Sequence, residues 1–334
     1  MIVRVEGLRR LSAEVRSFGN ARRRWTTRTA ALLVLVDGRG RRGVGEVAPL
    51  PGYSPDHLED AEGALRGWTR DLDLHEDDDL RAAVESIDVR LPSARFGLEM
   101  ALLDLRSGGT LGAEVLRTGG VCLPAAPGPG SVSNAALVSS VDGARAAHRG
   151  GARGFKVKIG IDERAESTLV QGLRETFPGA CLRLDANGTL DGETFRRWEE
   201  RARHGGVEYI EEPLSPDALL SLDRADPSGG QGPALAIALD ESLGDPRRED
   251  LLRHLRAIGR RPVMILKPVI LGGLEACRSI ARAHPAVPPI LSHGFGGPLE
   301  LHFASDLARE LHPEGIHGLH PHAGLDLWKG VTVP

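Results

Sequence analysis

The stretch Gly154-Phe155-Lys156-Val157-Lys158-Ile159-Gly160 decides how this chain is read. Of its 42 lysines and arginines only four are lysine: Lys156, Lys158, Lys267 and Lys329. Arginine serves here wherever a generic cation is needed, so lysine marks places where an amine is wanted. An ammonium can give up its proton when burial or nearby positive charge lowers its pKa; a guanidinium in effect cannot. Lys156 and Lys158 stand two apart in a β-like run, so their side chains leave the strand on one side. Two amines on one face repel, which is expected to lower the pKa of one or both and make a usable base.

Working outward, the second half of the chain alternates strand and helix. The expected strands are Ser133–Val138, Phe155–Ile159, Cys181–Ala186, Glu208–Glu212, Ala234–Asp240, Val263–Pro268, Pro289–Ser292 and Ile316–Leu319. Helical stretches such as Gly143–Arg149, Glu163–Thr176, Gly192–His204 and Leu274–His284 lie between them. Eight strands with intervening helices suit a (β/α)8 barrel; an open doubly wound sheet is the alternative. The Pro/Gly-rich Pro124–Gly130 reads as a linker, with a domain boundary near Gly119.

The first part reads as an antiparallel sheet with helices. Ile2–Leu8, Thr29–Val36 and Gly43–Val47 are strand-like, and Pro55–Leu65 and Ser93–Leu105 are helical. Gly38-Arg-Gly-Arg-Arg-Gly43 is a formal GxGxxG, but a strand follows it instead of a helix, so it is a hairpin and not a dinucleotide site. Ser17–Thr27 is polar and reads as a long loop; its Arg22, Arg23 and Arg24 are candidates for substrate carboxylates. Asp71–Asp79 reads as a solvated acidic stretch.

Composition sets bounds. Apolar residues make up 41% and charged residues 26%, with a net charge of −4 and no basic stripe. That argues against nucleic acid or a membrane surface as partner. No run is long enough to span a membrane and the N-terminus does not read as a signal peptide. Cys122, Cys181 and Cys277 form neither a disulfide framework nor a CxxC site, so a reducing, cytoplasmic setting is expected. His312, His317, His320 and His322 match no metal motif. No stretch specifies an oligomeric state.

Chemistry in such a barrel gathers where the strands end. Those ends carry Lys156 and Lys158, then Asp185-Ala-Asn187, Glu211-Glu212, Asp240-Glu241, Lys267, and Ser292-His293-Gly294. Three successive strands each offer a carboxylate after an apolar run. Buried like charges need a cation, and carboxylate oxygens with waters suit Mg2+. Parity allows only one of Glu211 and Glu212 inside, and leaves Asp240 and Glu241 equally open. Two lysines flanking such a cation could remove a proton next to a small molecule's carboxylate, with the dication stabilising the resulting enediolate.

Lys156-Val-Lys158, Asp185-Ala-Asn187, Glu211-Glu-Pro213, Asp240-Glu-Ser242 and Lys267-Pro268, in this order and spacing, resemble the enolase superfamily in its muconate-lactonizing branch. The resemblance covers nearly the whole chain. It implies an α/β fold: a modified (β/α)8 TIM-type barrel over residues 119–320 with an N-terminal α+β capping domain over 1–118, to which a C-terminal segment, 321–334, returns. It implies Mg2+, with Mn2+ as a substitute, on Asp185, Glu211 and Asp240. Lys158 would be the base, Lys156 its tuner, and Lys267 the enolate stabiliser or opposite acid/base.

Within the branch, Gly45-Glu-Val-Ala-Pro-Leu-Pro-Gly-Tyr-Ser54, Pro92-Ser-Ala-Arg-Phe-Gly97 and Lys267-Pro-Val-Ile-Leu-Gly-Gly273 are similar to the o-succinylbenzoate synthase family. That likeness implies syn dehydration of 2-succinyl-6-hydroxy-2,4-cyclohexadiene-1-carboxylate to 2-succinylbenzoate, a step of menaquinone synthesis. Candidate substrate contacts are Asn187, Arg24, Ser292, His293 and Gly294. His293 resembles the base of the mandelate-racemase branch, but that branch has an acid where Lys267 stands, so His293 is read as a pocket residue. The alternatives are an N-acylamino-acid racemase or dipeptide epimerase, disfavoured because Gly315–His320 lacks an Asp-x-Asp, and a non-catalytic protein with a relic site.

Overall fold

Alternating exposure carries β1 (Ile2–Gly19) far past Leu8, in antiparallel pairing with β2 (Arg24–Asp37). The computed structural model describes residues 1–19, 23–118, 132–223 and 235–333. Phe18 pairs with Trp25 and Gly19 with Arg24 at the hairpin tip. Much of Ser17–Thr27 is therefore strand, not loop. Its threonines and aromatics suit a two-stranded ribbon, which is held by cross-strand pairs and needs no apolar alternation where it projects into solvent. Arg22, Cys122, the boundary at Gly119, the linker Pro124–Gly130 and the strand start at Ala234 lie outside the described residues.

β3 (Arg42–Val47) joins β2 through the glycine hairpin, where Gly40 takes φ 79°. The sheet order is β3-β2-β1-β4, with β4 at Thr69–Asp71. Both faces of β2 are covered, which explains its unbroken apolar run. Ala31, Leu33 and Leu35 pack with α1 (Leu58–Leu65), α2 (Asp77–Glu85) and α3 (Pro92–Arg106). Ala30 and Leu32 join the cluster that continues into the barrel. α3 rests directly on β3 because a Cβ at Gly45 would fall 2.0 Å from the Gly97 carbonyl oxygen. Part of the acidic stretch is α2: Asp77, Asp78 and Asp79 form its first turn, where the helix dipole favours anions, and Leu80 and Ala83 are buried. α4 (Leu111–Thr118) follows.

The barrel strands are β5 (Ser133–Leu137), β6 (Gly154–Lys158), β7 (Cys181–Asp185), β8 (Tyr209–Glu211), β9 (Ala236–Leu239), β10 (Pro262–Leu266), β11 (Pro289–Leu291) and β12 (Ile316–His317). They run parallel in the order β11-β10-β9-β8-β7-β6-β5-β12, and a bridge from Ser292 to Gly318 draws the two ends together. β6 and β10 are four places apart, on opposite walls. The crossings are α5 (Val141–Arg149), α6 (Glu163–Thr176), α7 (Gly192–His204), α8 (Pro216–Leu220), α9 (Arg248–Ala257), α10 (Pro268–Leu271) with α11 (Leu274–Ala283), and α12 (Pro298–Leu311). Tyr209, Ala236, Ala238, Val263, Ile265 and Ile290 form a buried cluster of their own below the strand ends. The fold is thus the expected α/β barrel with its α+β cap. After β12 the chain returns to β1: Arg16 pairs with Asp326 at 2.9 Å, and Arg9 donates to the Thr332 carbonyl at 2.7 Å.

Two buried carboxylates from the cap hold barrel helices by their N-termini. Glu99 accepts the N–H groups of Leu274 and Glu275 at 2.5 and 3.0 Å, at the start of α11. Glu46 accepts those of Gly297, Leu299 and Glu300 at 2.6, 3.2 and 3.1 Å, at the start of α12. Burial pushes the Glu99 carboxyl up to about 7 and, with Glu300 adding repulsion, Glu46 up to about 8. A carboxyl with its folded pKa above its unfolded value binds its proton more tightly when folded. The stability that these two carboxyls contribute is therefore full below about pH 4.5 and falls as pH rises toward 7–8. In EDTA, the thermal midpoint is expected to be lower at pH 8 than at pH 6. Glu99→Ala leaves two helix N–H groups without their acceptor, and is expected to cost about 1–3 kcal/mol, read as a lower midpoint at pH 6.

Candidate active site

The parity of β6 sends Lys156 and Lys158 into the barrel, and β7 sends Asp185 to meet them. The Lys156 ammonium lies 2.9 Å from Asp185 Oδ2 and 2.9 Å from Glu211 Oε1. Lys158 donates to Asp185 Oδ2 at 3.1 Å and to Asn187 Oδ1 at 2.7 Å. Across the barrel, Lys267 pairs with Asp240 Oδ2 and donates to the Tyr53 hydroxyl at 2.5 Å. All of these side chains line one cavity of about 520 Å³ at the C-terminal ends of the strands.

The structure closes both open parities. Glu211 faces the cavity. Glu212, at φ 42°, turns away and accepts from the Asp240 N–H at 2.8 Å, the Ser242 N–H at 3.3 Å and the Ser242 hydroxyl. It fixes the turn that points Asp240 inward. Glu241 is exposed and accepts from Asn187 Nδ2 at 3.2 Å. Asn187 takes φ 46°, a left-handed conformation that Asn tolerates better than most residues.

Charge decides what this arrangement wants. Asp185, Glu211 and Asp240 are all but fully buried. Burial opposes the charge on Asp185, but Lys156 and Lys158 outweigh it and hold that carboxyl below its usual range. Burial pushes Glu211 up; Lys156 opposes the shift, and Asp185 and Asp240 reinforce it. Burial and Glu241 push Asp240 up. The expected lowering of an amine pKa is not found for Lys156, and that of Lys267 is raised as well. Burial does act against their charge, but Asp185 and Glu211 raise Lys156, and Asp240 with Tyr53 raises Lys267. Each of these two amines is paired with a carboxylate, and attraction wins.

The donor set fits a hard dication. Two of the carboxylate oxygens already lie 2.9 Å from one cationic centre, and the third acid enters the same cavity. Among the described residues no three acids or histidines are gathered about one point. Lys156 lies between Asp185 and Glu211, and Lys267 draws Asp240 to itself.

Ser292, His293 and Arg24 line the cavity, as does Asn187. Gly294 is not among the lining residues; its N–H is bound to Glu300 Oε1 at 2.8 Å. Arg23 donates to the Pro51 carbonyl at 3.0 Å. An aromatic cluster that sequence reasoning missed unites the cap and the mouth of the barrel. Phe295 lies 5.1 Å from Phe18, 6.4 Å from Trp25, 6.4 Å from Tyr53 and 5.0 Å from His293, centroid to centroid. Isolated aromatics in polar loops, in a chain with only 4% aromatic residues, were the available signal.

Comparison with known proteins places this geometry. Residues 139–332 match the family model described as enolase C-terminal domain-like, and residues 20–105 match that of the MenC N-terminal domain. An o-succinylbenzoate synthase of Thermosynechococcus vestitus is 35% identical over 66% of this chain and 62% of its own length. One from Escherichia coli O157:H7 is 30% identical over 93% of this chain and 90% of its own. Among solved structures, the Thermosynechococcus elongatus o-succinylbenzoate synthase, with Mg in its active site, superposes with a TM-score of 0.68 at 25% identity, covering 93% of this chain and 91% of that one. A Methylococcus capsulatus dipeptide epimerase, complexed with Mg and a dipeptide, gives 0.73 at 24% identity, covering 95% and 90%; that likeness is one of fold. Among the described residues no helix is long and apolar enough to cross a membrane.

Proposed function

The chain belongs to the o-succinylbenzoate synthase family of the enolase superfamily, and from that premise we propose how its residues divide the reaction. The activity is the syn dehydration of 2-succinyl-6-hydroxy-2,4-cyclohexadiene-1-carboxylate to 2-succinylbenzoate, in menaquinone biosynthesis. One observation carries the division of roles: amines from opposite walls, Lys158 and Lys267, enter one cavity with three buried carboxylates between them.

Asp185, Glu211 and Asp240 would hold Mg2+, with Mn2+ as a substitute. When bound, the dication would supply positive charge for the substrate's ring carboxylate and engage the carboxylate that Lys158 otherwise pairs with. Lys158 then takes the C1 proton. The C1–H electrons form the new C1–C6 double bond, the C6–O bond breaks, and the proton leaves with the hydroxyl as water. One amine on one face can serve both transfers, as syn elimination requires. Asn187 Oδ1 sets the direction of that amine. Lys267, held by Tyr53, stays an ammonium on the opposite side and stabilises negative charge developing on the substrate. Lys156 stays between Asp185 and Glu211 as a fixed cation.

Charge balance supports this reading. Lys156, Lys267, Arg24 and a dication carry five positive charges against the five negative charges of three carboxylates and a dianionic substrate, so the site closes without net charge when the base, Lys158, is a neutral amine. Arg24 at the rim would receive the carboxylate of the succinyl arm. The lining segment Gly318-Leu-His-Pro-His322 carries no acid to receive a peptide amine, which favours the lyase over an epimerase. The test is an ultraviolet assay for 2-succinylbenzoate formation. Turnover is expected with Mg2+, loss in EDTA, and recovery when Mg2+ or Mn2+ is restored. No product with either metal would overturn the reading.

A further inference from the structure

We propose that His293 is a specificity-determining residue, whose Nε2–H is an uncharged hydrogen-bond donor to the keto oxygen of the substrate's succinyl arm. The proposal rests on the activity above and deepens it.

The tautomer follows from the backbone. His293 Nδ1 accepts the Phe295 N–H at 3.2 Å, so in the neutral ring the proton is on Nε2. The ring lines the cavity, and Nε2 has no partner among the described residues and is not sealed from solvent. Burial, with His322, Lys267 and Lys156 adding repulsion, holds the imidazole well below its ordinary pKa. With Nδ1 engaged and Nε2 protonated, no lone pair remains to take a proton. His293 is thus a donor, not a base like the strand-seven histidine it resembles.

Its aim is fixed on two sides. The His322 ring lies 4.2 Å away and the Phe295 ring meets it edge-on at 5.0 Å. Phe295 has φ 62°, a conformation a bulky residue rarely adopts. A buried clasp holds it there. Arg28 Nε donates to the Phe295 carbonyl at 3.1 Å, while its Nη1 holds the Pro49 carbonyl of the cap at 2.7 Å. Glu300 accepts the N–H groups of Gly294 and Gly296 at 2.8 and 2.6 Å. A ring held this firmly is suited to recognising one acceptor atom.

The substrate narrows which atom. Its ring carboxylate belongs with the acids and lysines, and the arm's carboxylate calls for a cation, which Arg24 offers. The uncharged acceptor of the arm is its keto oxygen, and His293 is an uncharged donor left open to the cavity.

The test uses the Mg2+-loaded enzyme, titrated calorimetrically with 2-succinylbenzoate and with 2-(3-carboxypropyl)benzoate, in which the ketone is a methylene. The wild type is expected to favour the ketone by about five- to tenfold. His293→Asn keeps an acceptor for the Phe295 N–H but cannot reach the ligand, and is expected to lose that preference. His293→Gln, whose amide nitrogen can stand near the position of Nε2, is expected to recover it. A preference unchanged in His293→Asn, or equal weakening of both ligands, overturns the assignment while the activity stands. A hundredfold fall in kcat at constant KM would make His293 a proton-transfer residue and also overturn it. Failure of the wild type to bind either ligand overturns the activity, and this proposal with it.

Discussion

Lys158→Ala is expected to lower turnover by about a thousandfold or more, while the circular dichroism spectrum and the Mg2+-induced rise in thermal midpoint remain. General-base catalysis is worth about 10²–10⁴, and the same amine returns the proton to the leaving hydroxyl, so its removal strikes both halves of the elimination. The fold should tolerate the change because Lys156 still neutralises Asp185 at 2.9 Å. Asn187 loses a partner at 2.7 Å but keeps Glu241. Turnover within tenfold of wild type would assign the proton transfer to another group. Loss of the Mg2+ response as well would make Lys158 a structural residue.

Glu211→Gln is expected to abolish the Mg2+ response itself. Burial, with Asp185 and Asp240 nearby, makes the Glu211 charge costly, and a dication relieves that cost. For the wild type, Mg2+ at a hundred times its Kd stabilises by about 2.7 kcal/mol, which a thermal scan resolves. The amide offers a neutral oxygen in place of an anionic one. The midpoint of Glu211→Gln should therefore be the same with Mg2+ as with EDTA, and turnover should be lost. In EDTA the variant should be no less stable than wild type, because a buried like charge has been removed. A midpoint that still climbs with Mg2+ would mean the dication sits elsewhere.

Much of the barrel was legible because its strands are short apolar runs that each end on a chemically marked residue. Six of the eight ends announced themselves as Lys156/Lys158, Asp185, Glu211, Asp240, Lys267 and Ser292/His293, and the strand bounds that fall among the described residues came within two residues. What was hidden depended on tertiary partners. The hairpin around Phe18 and Trp25 lacks local alternation, and pairing alone makes it a strand. α2 begins with three aspartates that read as solvent-loving until the helix dipole is counted. The inward face of Glu211 was undecidable because Glu212 serves the backbone of Asp240 instead, a contact 28 residues away. Tyr53 was quoted only as part of a phrase, since its proximity to Lys267 spans 214 residues. The Lys156 pKa was misjudged for the same reason: repulsion from a second lysine is visible along the strand, but the acids that overrule it come from neighbouring strands.

The scarcity of lysine has a practical consequence for handling this protein. The Lys329 side chain is 76% exposed, whereas those of Lys156 and Lys158 are 20% exposed and that of Lys267 is 7%. Among the lysines, amine-reactive dyes and resins will therefore attach first through Lys329. Any slower acylation that silences the protein would be a report from inside the cavity, and its protection by bound ligand would count occupied sites without following product.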